Sequence, residues 1–184
     1  MMDWIEELHA REKANLWAGF TAASPDDLLE IEHLIRRTLP EDFREFYRRV
    51  GYGQWPRAYG GGIWPPKDII AMVGAPIYFV AGSLTQGEEW ATEVEHRELW
   101  LTHGESNPDP RRFTESALHF HGMSLLDLLE IGSDGCAGYQ MLNLSNSSEI
   151  RYLVVYESTG IDFPSGSFRE GILAITDWLV RSRD

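Results

Sequence analysis

Tyr139-Gln140-Met141-Leu142-Asn143-Leu144 and Ile150-Arg151-Tyr152-Leu153-Val154-Val155-Tyr156, connected through Ser145-Asn146-Ser147-Ser148, form the clearest strand pair in the chain. Aromatic and β-branched residues dominate the second run, and the small polar cluster between the runs is turn chemistry. In the second run Ile150, Tyr152, Val154 and Tyr156 alternate with Arg151, Leu153 and Val155. Because Leu153 and Val155 are apolar too, both faces are expected to be covered, as in a central strand.

Just before the pair, Ile131-Gly132-Ser133-Asp134-Gly135 reads as a turn. Asp134 is expected to bond the backbone of that turn, and Gly135 to take a positive φ. Ser124 to Glu130, preceding it, is apolar on several sides. After the pair, Ser167-Phe168-Arg169-Glu170 reads as a capping box opening the last helix, whose buried stripe is Phe168, Ile172, Ile175 and Leu179.

The N-terminal third is helical. Residues 3–17 carry Trp4, Ile5, Leu8 and Trp17 as apolar points. Ser24-Pro25-Asp26-Asp27 is a helix start: a capping serine, proline at the first helical position, and two acids at the positive end of the dipole. Leu28, Ile31, Leu34 and Ile35 continue it to about Arg37. Leu39-Pro40 stops that helix. The next one presents Phe43, Phe46, Tyr47 and Val50 on one face and ends at Gly51 and Gly53. Residues 52–66 read as a Gly- and Pro-punctuated loop held down by Trp55, Tyr59 and Trp64, and Ile69–Val73 and Ile77–Ala81 as short strands. Helices, then strands, then a closing helix predict an α+β fold with a mostly antiparallel sheet.

The 184 residues suit one domain, 1–184, and 43% hydrophobic residues supply its core. The net charge of −13 repels phosphate backbones and anionic membranes and favours a basic partner. The single cysteine, Cys136, rules out a disulfide within the chain and suits a reducing compartment. Met1-Met2-Asp3-Trp4-Ile5-Glu6-Glu7 has acids where a signal peptide has bases. No run approaches the ~20 apolar residues of a membrane span. The expected location is the cytoplasm, where the sequons at Asn143 and Asn146 are chance matches.

Reactive chemistry finds little support. Gly60-Gly61-Gly62 runs into Ile63-Trp64-Pro65-Pro66 rather than a helix with Lys and Ser or Thr, so it is not a phosphate loop. His119 and His121 would share a strand face, but no local motif completes a zinc set, and two half-buried histidines are expected. Cys136 reads as a small residue filling a tight turn. Ser133-Asp134-Gly135 lacks the pattern of a nucleophile turn. No cofactor, metal or catalytic residue is expected. The stretch from Gly87 to Leu101 stands out. It interleaves Glu88, Glu89, Glu93, Glu95 and Glu98 with Trp90 and Trp100, against the single base Arg97. Two readings are open there: an interface for a basic protein surface, or a surface helix with its tryptophans turned inward.

Three pieces, in order, resemble the SUKH superfamily, the Smi/Knr-like group that includes bacterial toxin-immunity proteins. The first is a helix with an acid near its middle (Glu32), followed by Leu39-Pro40-Glu41-Asp42-Phe43-Arg44-Glu45-Phe46. The second is Ile131-Gly132-Ser133-Asp134-Gly135 with the following hairpin to Tyr156-Glu157. The third is Ser167-Phe168 opening the last helix. The similar segments are 24–56 and 124–182, with an insertion inside 57–123. Where the family usually has a second glycine pair, this chain has Cys136-Ala137 before Gly138. The resemblance implies an α+β fold and no enzymatic activity. It implies that the motif residues Leu39, Pro40, Gly132, Ser133, Asp134 and Gly135 are structural. It also implies binding to a cognate toxin in the cytoplasm, by occluding or distorting the toxin's active site, with Glu88 to Trp100 as the candidate contact. The alternative is a regulatory adaptor of the same fold with a partner other than a toxin.

Overall fold

The computed structural model describes residues 3–11, 15–56, 60–76, 97, 101, 119–135, 137–156 and 160–181. The chain is α+β. Helices α1 (Trp4–Arg11), α2 (Pro25–Ile35), α3 (Glu41–Arg49) and α4 (Pro66–Ala71) precede most of the sheet, and α5 (Phe168–Arg181) closes the fold. Among the described residues the main sheet runs β1 (Gly53–Gln54), β2 (Gly62–Ile63), β5 (Leu128–Ser133), β6 (Gly138–Asn143), β7 (Tyr152–Tyr156) and β8 (Gly160–Ser165), in that spatial order. Every neighbouring pair is antiparallel. A small hairpin, β3 (His119–Phe120) with β4 (Met123–Ser124), stands apart from it.

Helix α2 starts as its sequence demands. Ser24 Oγ accepts from the Asp27 N–H at 3.1 Å while Asp27 Oδ2 accepts from the Ser24 N–H at 2.7 Å, a reciprocal cap under Pro25. Leu28, Ile31 and Ile35 face the core. The helix ends before Leu39-Pro40, because Arg36 takes a left-handed conformation (φ 53°). Glu32 then reaches forward and accepts from the Leu39 N–H at 2.9 Å, fixing the corner into α3.

On α3 the spacing of Phe43, Phe46, Tyr47 and Val50 buries all four. Phe43 and Phe46 meet Phe168 of α5 edge-on, with ring centres 5.1 and 5.3 Å apart. Asp42 Oδ2 accepts from the Arg169 N–H at 2.8 Å, so α3 lends a carboxylate to the free N–H groups of α5. Ser167 Oγ caps the Glu170 N–H at 3.1 Å. The Glu170 carboxylate returns to the Gly166 N–H, at 3.2 Å, rather than to Ser167, so the expected capping box is offset by one residue.

Helix α5 lies over β7 and β8, with α1 and α3 against it. A Cβ on Gly171 would sit 1.8 Å from the Tyr152 ring, so the absence of a side chain is what lets helix and strand approach so closely. The strand register places Leu129, Leu142, Gln140, Tyr152 and Val154 on this helix-covered face, and Leu128, Glu130, Met141, Asn143, Leu153 and Val155 on the other. All of the latter are at most 2% exposed. The hairpin expected at 139–156 is present, and its second strand is interior and buried on both faces.

Three expectations need correction. Ile69–Val73 is not a strand: Pro65-Pro66 opens α4, which buries Ile69, and Val73 is buried from the turn that follows the helix. Residues 131–133 are not a turn but the end of β5, so the turn begins at Asp134. The first helix, Trp4–Arg11, does not run to residue 17: Leu16 and Trp17 are buried from a turn. The expected strand over Ile77–Ala81 lies outside the described residues.

Candidate functional site

The motif Gly132-Ser133-Asp134-Gly135 sits where three strands and a loop converge. Gly53 of β1 and Gly132 of β5 both pair with Ile63 of β2, and Gly62, one residue before it, pairs with Gln54 and Ser133. A Cβ on Gly132 would come within 2.2 Å of the Gly62 carbonyl oxygen, and one on Gly62 within 2.1 Å of the Gly53 carbonyl oxygen. Gly61 (φ 64°) lies equally close over the Ser133–Gly135 backbone. The glycine triplet 60–62 is therefore a packing device, and it lies against the second glycine motif.

Asp134 is buried, and its carboxylate is fully engaged. Oδ1 accepts from the Gly138 N–H at 2.8 Å, and Oδ2 accepts from the Tyr156 hydroxyl at 2.6 Å. Its own N–H donates to the Gly138 carbonyl at 2.9 Å. Gly135, at φ 83°, completes the turn with its N–H on Ser133 Oγ. Asp134 thus bonds its own turn backbone, as expected, and also ties the turn to β7. Ala137 holds φ 75°, a conformation that costs a residue with a Cβ about 1–2 kcal/mol and glycine nothing.

Beside the turn, Gln140 donates from Nε2 to the carbonyls of Gly62 (3.1 Å) and Ser133 (2.8 Å) and accepts from the Tyr152 hydroxyl at 2.8 Å. Burial pushes the Tyr152 phenol far above its usual range, so it remains a donor. Asp134, Gln140, Tyr152 and Tyr156 together bind loop, turn and strands into one unit. Asp134→Ala removes the acceptor for two groups, one a buried backbone N–H. A loss of about 2–4 kcal/mol is expected, read from urea midpoints, with Tyr156→Phe losing about 1 kcal/mol. Equal losses for the two variants would contradict this assignment.

Leu39 is buried and Pro40 precedes α3, so both shape the α2–α3 corner. Glu88, Glu89, Trp90, Glu93, Glu95, Glu98 and Trp100 lie outside the described residues, as does Cys136. His119 and His121 do not share a strand face. His119 is on β3, whereas His121 occupies the following turn at φ 49°, and both are exposed rather than half-buried. Among the described residues no group of three or more His, Cys, Asp or Glu side chains is placed to hold a metal.

Sequence reasoning missed one residue altogether. Glu130, on β5, is fully buried, and neither carboxylate oxygen has a hydrogen-bond partner among the described residues. Burial alone pushes its carboxyl up to about 8. The run from Leu125 to Ile131 carries two acids, Asp127 and Glu130, and nothing in the sequence tells which of them is buried.

Fold and site together define the class: an α+β protein with an antiparallel sheet, whose glycine-turn residues are spent on holding backbone. The chain belongs to the SMI1/KNR4 family (SUKH-1), whose family model matches residues 22–172. A comparison with curated proteins finds no match. Membership fits an immunity-like role. No helix among the described residues is long and apolar enough to cross a membrane.

Proposed function

We propose that the chain is an immunity protein that binds and neutralises a cognate secreted toxin in the cytoplasm. It would occlude or distort the toxin's active site without catalysis of its own. The observation that carries this reading is the family match over residues 22–172. The charge of −13 supports it, because an acidic protein gains encounter rate with a basic surface, and toxins that act on nucleic acid have such surfaces. So does the engagement of Asp134, the reactive-looking member of the glycine turn, by the backbone and Tyr156. In this reading the chain is one domain, residues 57–123 contain an insertion, and that insertion sets the choice of partner. Glu88, Glu89, Trp90, Glu93, Glu95, Glu98 and Trp100 supply the contact: tryptophans as anchors and glutamates for charge matching.

The test is co-expression with the C-terminal domain of a large secreted protein encoded by the adjacent reading frame. Growth rescue and co-purification are the expected results. Trp90→Ala, or Glu88 and Glu89 both changed to Lys, should weaken the complex at least tenfold while leaving the urea midpoint unchanged. Failure to rescue or to form a complex refutes the function. Rescue that is unaffected by these substitutions refutes only the contact site.

A further inference from the structure

We propose that Glu130 and Asn143 line one internal polar site on the sheet face away from α5, and that this site holds an ordered water molecule shared between them. Both side chains are fully buried. Both Glu130 oxygens and Asn143 Nδ2 lack a hydrogen-bond partner among the described residues. Asn143 Oδ1 accepts from the Ser145 N–H at 3.0 Å, which sets the amide's orientation and leaves Nδ2 as the open donor.

The register brings the two together. Glu130 pairs with Met141 and Leu128 with Asn143, so Glu130 and Asn143 are diagonal neighbours on one face. Diagonal positions in a sheet are roughly 7 Å apart, a span in which one small molecule can meet both side chains. Leu128, Met141 and Leu153, on the same face, are apolar and offer no substitute partner. A stranded buried carboxyl and a stranded amide N–H each carry a large desolvation penalty. Water is the guest whose chemistry answers both, because it accepts from the amide and donates to the carboxyl. Buried waters characteristically bridge polar groups left over in this way.

Two measurements on the full chain test the site. In a high-resolution crystal structure, one ordered water should lie within hydrogen-bonding distance of both Glu130 and Asn143 Nδ2. In a double-mutant cycle of Glu130→Leu and Asn143→Leu, followed by urea unfolding, the folding equilibrium constant should depart from additivity by at least tenfold, since either single change strands the remaining group. Additive effects overturn the proposal. So does a structure in which Glu130 bonds Asn143 directly or bonds a side chain from residues 77–118.

Discussion

Glu130→Gln is expected to stabilise the protein increasingly as the pH rises, with little difference from the parent at pH 4.5 and a gap on the order of 5 kcal/mol by pH 9. The sign follows from the carboxyl, which burial pushes up to about 8 from an ordinary value of 4.5. Below 4.5 the group is neutral in both folded and unfolded chains, and its ionisation costs the fold nothing. Between 4.5 and 8 the unfolded chain releases its proton while the folded chain keeps it, so stability falls with pH. Above 8 both states are ionised and the loss stays constant. A difference of this size, at about 1.4 kcal/mol per pKa unit, gives the expected gap. Glutamine has the same shape and no proton to release, so its curve lacks this decline. Self-repulsion from a net charge of −13 also weakens the fold at high pH, but it acts on both proteins, and the difference isolates Glu130. Urea midpoints from pH 4.5 to 9 supply the measurement. Two curves that stay parallel throughout would show that this carboxyl ionises as readily in the folded chain as in the unfolded one.

Gly132→Ala should cost about 3 kcal/mol or more. Its added methyl would meet the Gly62 carbonyl oxygen at 2.2 Å and the Ile63 Cα at 3.2 Å. Both belong to the backbone of β2, which cannot move aside while Gly62 and Ile63 remain paired with β5. Relief requires β2 to detach, and with it the hold of Gln140 on the Gly62 carbonyl. Gly160→Ala is the matched control. It also sits in a strand, but a Cβ there meets nothing within 4 Å, so its stability should stay within about 0.5 kcal/mol of the parent. Chemical denaturation of the two variants side by side decides the matter, and similar losses in both would count against the close packing of β2 on β5.

Long amphipathic patterns were legible in the sequence. The stripes of α3 and α5 and the 139–156 hairpin each bury a full face, and burial at a fixed period is what the pattern encodes. The short elements were not. Ile69–Val73 has an apolar run that suits strand or helix equally, and only the prolines at 65 and 66 distinguish them. On sequence alone Gly132 suits a turn, because glycine most often frees the backbone there. In the fold it instead lets three strands pack closely, which depends on residues about seventy positions away. Strands of two residues, such as β1 and β2, have no period to read. Of the site, Asp134 and Gly135 were legible because their roles are local. Its partner Tyr156 and the neighbouring pair Gln140 and Tyr152 were not, because those bonds cross between strands. Glu130 was invisible because acids are ordinarily at the surface.

Among the described residues strand β8 forms one rim of the sheet, and two consecutive residues break its regularity. Phe163 has a left-handed backbone at φ 53°, and Pro164 has no N–H to offer. A neighbouring molecule trying to extend the ladder would find a bend and a missing donor midway along its template. This margin is therefore a poor template for runaway strand addition.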